Sequence, residues 1–184
     1  FDKAGDMYVL DRGVKSILKY AKGDYSSSSV FVKLDENPLC MDFDAEGNMI
    51  IATASRHFIR VTPSGEAEII AGSGVKGSSD GNAGEPLTAQ MGDVWGLAVG
   101  KGGEIYFVDG TYHAVRMLKP GSNGYADASV RTIAGSAGSS GKVDGTGTAA
   151  KFNTPYDICV SPSGDKLYVT DLMNFLVREI TIKD

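Results

Sequence analysis

Four times along the chain, an apolar residue is followed by a short polar stretch ending in glycine and then by an apolar run closing on Asp or Thr. The copies run from Phe1 to Asp11 around Gly5, Phe43 to Thr53 around Gly47, Val99 to Asp109 around Gly103, and Val160 to Asp171 around Gly164. Glycine supplies the positive φ that a tight turn needs, so each copy predicts a β-hairpin. A few residues further on comes another apolar run: Ile17–Tyr20, Ile59–Val61, Val115–Met117 and Val177–Ile180. A β-rich segment then follows the first three copies, at Val30–Val32, Glu68–Ile70 and Val130–Ile133. Copies two to four are led in by Leu39–Phe43, Trp95–Val99 and Tyr156–Val160. The unit is a four-stranded meander recurring at intervals of about 40–60 residues, a length suited to a propeller blade with variable loops.

The second strand of each copy is apolar at consecutive positions, as in Met7-Tyr8-Val9-Leu10 and Ile105-Tyr106-Phe107-Val108. A strand buried on one face alternates, whereas a strand covered on both faces reads as a continuous apolar run. Blades stacked face to face around an axis cover their middle strands in this way. Dense glycine, β-branched residues and the lack of long i, i+4 apolar periodicity disfavour helix. The expected fold class is all-β: a β-propeller of four-stranded antiparallel blades, with roughly three and a half blades in this chain. The expected blades are residues 1–34 (partial), 38–70, 94–134 and 155–184 (partial). An open arc would leave two apolar blade faces in water, so the remaining blades are expected from a longer chain or a partner chain.

A second repeated element separates the later copies. Ile70-Ala71-Gly72 leads through a Gly/Ser-rich loop to Asp80-Gly81, Ala89-Gln90-Met91 and Trp95, and Ile133-Ala134-Gly135 leads to Asp144-Gly145, Ala150-Lys151-Phe152, Pro155 and Tyr156. Asp-Gly makes a turn, and a small Ala followed by a large apolar residue can plug the loop between blades. This order, with Pro155-Tyr156-Asp157-Ile158 ahead of a glycine turn and Tyr168-Val169-Thr170-Asp171, resembles NHL repeats. It is similar in particular to bacterial members in which the propeller follows an immunoglobulin-like IPT/TIG domain. The resemblance spans nearly the whole chain and is strongest in copies three and four. Thr53 departs from the usual Asp, and residues 21–37 lack the Ala-Gly loop. The resemblance implies a ring of about six blades, a binding role and a place at the bacterial cell envelope.

Charge and chemistry narrow the picture. With 18 basic and 23 acidic residues the net charge is -5, the wrong sign for a chain that relies on neutralising phosphates, so no nucleic acid is expected. No apolar run reaches the roughly 18–20 residues of a membrane span. Cys40 and Cys159 lie in apolar runs and are expected to be buried thiols, with a disulfide between blades as the alternative. Gly72 to Gly77 matches G-x-G-x-x-G, but no helix pattern follows, so no dinucleotide cradle is expected. In Asp80 to Glu85, the glycines and the Glu are misplaced for a calcium loop, and no zinc or nucleophile motif is present. Neither a cofactor nor a metal is expected.

Chain direction puts the loops joining second to third strands on the same face as the long 71–94 and 135–155 connections. Site candidates lie there. Trp95 and Tyr156 open inner strands near the channel mouth, where an aromatic either stacks on a sugar or peptide group or packs against loops; Tyr112 is similar. Asp109 and Asp171 share a repeat position with Asp11, suited to capping a turn or to holding a ligand. His113 aligns with His57, Lys15 and Phe175, a position read as shaping the repeat. Arg60, Arg116 and Arg178 recur on third strands and are expected to make inter-blade hydrogen bonds. The functional expectation is a non-catalytic scaffold that recognises a glycan or protein through its loop-rich face. The alternative is a propeller hydrolase or lyase whose catalytic residues lie largely elsewhere.

Overall fold

A computed structural model describes residues 1–182 as an all-β protein whose strands form four antiparallel sheets. Residues 183 and 184, expected at the end of the fourth blade, lie outside the described residues. The first sheet holds β1 (Met7–Asp11), β2 (Ser16–Tyr20) and β3 (Ser29–Lys33). The second holds β4 (Pro38–Phe43), β5 (Met49–Thr53), β6 (Phe58–Val61) and β7 (Ala67–Ala71). The third holds β8 (Val94–Val99), β9 (Ile105–Asp109), β10 (Ala114–Gly121) and β11 (Gly124–Gly135). The fourth holds β12 (Pro155–Val160), β13 (Lys166–Asp171) and β14 (Leu176–Thr181). Within every sheet, spatial order follows chain order, so each is a simple meander. Only short 3-10 turns, such as Pro86–Thr88, interrupt the β structure among the described residues.

The repeated glycines do the job their spacing implies. Gly5, Gly47, Gly103 and Gly164 have φ of 95°, 87°, 82° and 89°, and each donates its N–H to the carbonyl three residues back at 2.9–3.2 Å. A side chain at such φ would be strained, which is why the hairpins are marked so clearly.

Successive sheets stack through their faces. Ile50, Ala52 and Phe58 of the second blade pack on Leu97, Ile105 and Phe107 of the third. Phe58 and Phe107 meet edge to face at 4.9 Å. The opposite face of the third blade, with Tyr106, Val108 and Met117, packs on Ile158, Leu167 and Val169 of the fourth. Consequently β5 and β9 are buried at every position. The same expectation for β1 does not hold: Val9 is 37% exposed. Only one neighbour covers each outer blade here, and β13 accordingly alternates, with Leu167 and Val169 buried and Tyr168 and Thr170 exposed.

The long connections are pinned by arginine. Arg116 of β10 is buried, with its guanidinium over the Phe107 ring at 5.6 Å. It donates to Asp80 at 2.7 and 3.2 Å, to the carbonyls of Gln90 (2.7 Å) and Ser79 (3.0 Å), and lies 3.5 Å from Asp109. Arg178 of β14 repeats the pattern over Phe152, donating to Asp144, Asp171 and the carbonyls of Lys151 and Val143. The Asp-Gly turns are thus the loop-side halves of two arginine clamps. Ala89, Met91, Ala150 and Phe152 are buried beneath the loops, as the plug pattern implies.

Arg60 departs from this scheme, and the reason is one residue of turn. In the third blade, Asp109 pairs with Ala114 and Arg116 with Phe107. In the second, Thr53 donates to the His57 carbonyl, Ala52 pairs with Phe58, and Ile59 takes the place opposite Ile51. The shorter hairpin moves Arg60 opposite Ile50, hence onto the face turned toward the third blade. There it pairs with Glu68 of its own sheet at 2.7 Å. His57 is displaced likewise: Arg56, not His57, takes the left-handed position (φ 66°) that Lys15, His113 and Phe175 occupy in the other blades.

We predict unequal costs for removing these arginines. Arg116→Ala leaves Asp109 buried without its counter-charge and should cost roughly 3 kcal/mol or more of unfolding free energy. Arg60→Ala breaks a partly exposed pair and should cost under about 1 kcal/mol. Urea unfolding of the two variants checks this; equal losses would refute the clamp as a main support of the loops.

Candidate functional site

Inner strands β4, β8 and β12 lie side by side, and their first residues face the loop-rich end. Val99 donates its N–H to Asp42 at 2.9 Å, joining β4 to β8. Between β8 and β12 the approach is closer still. A Cβ on Gly96 would fall 2.5 Å from Asp157 Oδ1 and 3.0 Å from the Tyr156 carbonyl, so only glycine fits there.

This close approach brings together the two aromatics that open the inner strands. Trp95 and Tyr156 stack with ring centroids 5.8 Å apart and planes 13° from parallel. Tyr156 is 45% exposed and Trp95 half-buried, so the pair is a platform with one side toward solvent. An aspartate stands close to each ring along the chain. Asp157, next to Tyr156, is exposed, and its Oδ1 accepts the Ile158 N–H at 2.9 Å. Asp93, two residues before Trp95, accepts from Thr111 Oγ1 at 3.0 Å. Neither carboxylate stood out from sequence; the signal available was an Asp beside each strand-opening aromatic.

The other candidates sit around this platform in supporting positions. Asp109 is buried and accepts N–H groups from Gly92 (2.9 Å) and Tyr112 (3.1 Å) beside Arg116. Burial pushes its carboxyl upward from the ordinary range, against the lowering effect of those donors and the arginine. Asp171, also buried, accepts from the Asn153 N–H (2.7 Å), Asn174 (2.8 Å) and Arg178 (3.1 Å). His113 accepts the Thr154 N–H on Nδ1 at 3.0 Å, tying the third blade's turn to the approach of β12. Tyr112 is half-buried on that turn, and its carbonyl accepts from Gly138 at 3.3 Å. In the second blade a different cluster holds the turn: Glu36 bridges Thr53 Oγ1 (2.5 Å) and His57 Nδ1 (2.6 Å).

No family profile matches the chain, and no curated protein matches it. Solved structures do. A protein of unknown function from Bacteroides thetaiotaomicron superposes with a TM-score of 0.80 at 22% identity, covering 100% of this chain and 46% of that one. An auxiliary nutrient binding protein from Bacteroides ovatus gives 0.77 at 23% identity, over 100% and 47%. A gluconolactonase from Xanthomonas campestris gives 0.67 at 15%, over 97% and 55%. The fold is a β-propeller. At these identities the likeness concerns fold alone, and the chain spans about half the length of the structures it matches.

Of the propeller's two cysteines, Cys159 departs from the expected burial. Both are free thiols. Cys40 is largely enclosed between β4 and β8, with Sγ 3.8 Å from the Val94 carbonyl oxygen, and burial pushes its pKa up to about 12. Cys159 is exposed, because no described neighbour covers the outer face of the fourth blade. A neutral thiol in a closed site is inert, and an exposed one reacts. We predict that Ellman's reagent spares Cys40 in the native protein and titrates both thiols in denaturant; a reactive Cys40 in the native state would refute the packing of β4 against β8.

Proposed function

We propose that this propeller is a non-catalytic binding scaffold of the NHL-repeat type, serving a nutrient-related role at a bacterial cell envelope. Its ligand is a glycan or a sugar-bearing protein held at the loop-rich mouth. The observation that carries this reading is the stacked Trp95–Tyr156 platform, with Asp93 and Asp157 close to its two rings in sequence. A flat aromatic surface offers the C–H face of a pyranose an apolar seat, and adjacent carboxylates accept its hydroxyls. The auxiliary nutrient binding protein among the structural neighbours supports the same direction. Tyr112 and His113 would border the site, with Asp109 and Asp171 fixing the turns that present them.

A second reading, a propeller hydrolase or lyase, is favoured by the likeness to a gluconolactonase. Under it the carboxylates of Asp93 and Asp157 act on bound substrate together with residues from further blades. The two readings diverge in one experiment. The single tryptophan is itself the reporter. Titration with neutral mono- and oligosaccharides should perturb Trp95 emission saturably, and Tyr156→Ala should weaken binding about ten-fold or more. Consumption of the sugar or of a sugar lactone would favour the enzyme. Unchanged affinity in Tyr156→Ala would remove the platform from either reading.

We further propose that the uncovered faces of the first and fourth blades seat the rest of a closed ring. Val9 and Val30 at one end, and Tyr168 and Val177 at the other, are exposed apolar residues on those blades. Native mass spectrometry should find this propeller with additional blades, in its own polypeptide or a partner's. A lone, stable monomer of 19.4 kDa would refute closure.

A further inference from the structure

The third strands of the first three blades, β2, β6 and β10, each carry a fourth strand on their outer edge, while β14 pairs only with β13 among the described strands. Such an open edge presents backbone N–H and C=O groups with no ladder partner. A groove of about 460 Å3 runs along it, lined by Lys142, Asp144 and residues 176–179. Val177 in this groove is 69% exposed. Ile17 and Val115, which hold the same place in the hairpins of the first and third blades, are fully buried.

The third blade shows the corresponding place filled. There Asp80 takes the Arg116 guanidinium on Oδ1 and also receives Thr132 of β11, whose N–H donates to Oδ2 at 3.0 Å and whose hydroxyl donates to Oδ1 at 3.2 Å. Thr132 lies opposite Arg116 in the β10–β11 ladder. Asp144 is the counterpart of Asp80 and holds Arg178 through Oδ1. Its side chain is 96% exposed, and its Oδ2 accepts no hydrogen bond among the described residues. The arginine half of this clamp is built and the strand half is open.

We propose that the groove beside β14 seats one antiparallel strand carrying Thr (or Ser)-x-Ala-Gly, and that Asp144 selects it by accepting the N–H and hydroxyl of that Thr or Ser. The order follows from the filled copy, where Thr132 faces Arg116, Ile133 is bulged out of the pairing, Ala134 faces Val115 and Gly135 faces Ala114. Arg178, Val177 and Leu176 hold the matching places on β14. Glycine is required at the end because a Cβ on Gly135 would fall 2.5 Å from the His113 carbonyl, and Phe175 shares the His113 position and its left-handed backbone. Ladder hydrogen bonds to the free edge supply affinity, and the carboxylate supplies register and selectivity. The strand belongs to the polypeptide that completes the ring; for that source the proposal rests on the closure reading, whereas the recognition stands without it.

The test adds a fluorescently labelled, C-amidated peptide Ser-Val-Arg-Thr-Ile-Ala-Gly, a copy of residues 129–135, to the 184-residue chain. Fluorescence anisotropy should show saturable binding, and hydrogen exchange should slow at residues 176–181. A peptide with valine in place of its threonine lacks the hydroxyl and should bind about ten-fold more weakly. One with proline there lacks the N–H as well and should not bind saturably. Asp144→Ala should weaken binding of the parent peptide about ten-fold or more. Because the peptide variants leave the protein untouched, a folding defect in Asp144→Ala does not decide the matter. Absence of saturable binding, protection confined to other residues, equal binding of the proline peptide, or undiminished affinity in a folded Asp144→Ala would each overturn the proposal. A lone monomer in native mass spectrometry would refute ring closure and leave these readouts standing, so the two failures are told apart.

Discussion

The buried guanidinium of Arg116 holds three things that would otherwise move independently. Its fork reaches the Asp-Gly turn at Asp80, the carbonyls of both limbs of the long loop, and the turn carboxylate of Asp109. Arginine suits the place because its planar donors diverge and its face rests on an aromatic ring. The ion pair alone is a weak source of stability, since both charges give up water to form it. Its value lies in geometry. A connection of more than twenty residues between β7 and β8 is braced from within by this side chain, alongside its own backbone bonds, and leads directly into the start of β8 with Trp95. Arg178 performs the same task ahead of Tyr156.

Placement of those two starts makes the stacked platform. Trp95 and Tyr156 belong to different blades, separated along the chain by an entire four-stranded unit. Their rings become parallel because Gly96 lets β12 approach β8 without a side chain between them. The mouth of the propeller therefore inherits its shape from loop anchoring on one side and from backbone contact on the other. Apolar stacking supplies the bulk of the cohesion beneath, with β5 and β9 closed in by neighbours on both faces.

Much of this was legible along the chain. The hairpin glycines, the Asp-Gly turns and the Ala-x-Met and Ala-x-Phe plugs each have local causes, and a local cause leaves a local signature. What was hidden is what depends on counting across space. The arginines at 60, 116 and 178 look equivalent in sequence, yet a turn shorter by one residue reverses the side of the sheet on which Arg60 emerges. Cys159 sits in as apolar a run as Cys40, but its exposure depends on whether another blade covers it. Val9 illustrates the same point at the other end. The acidic partners Asp93 and Asp157 gain meaning only once the aromatics beside them are known to touch.

Arg60 also shows how a repeat protein diversifies. In a sheet of period two, deleting a single turn residue reassigns every side chain downstream of it within the strand to the opposite surface. No substitution is needed, and the blade's apolar character survives because both of its surfaces are buried. A residue that elsewhere is bound to internal bracing thereby becomes available at a wall between units. Length variation in the short turns, more than change in the strands, is then the raw material from which an array of near-identical modules acquires individual sites.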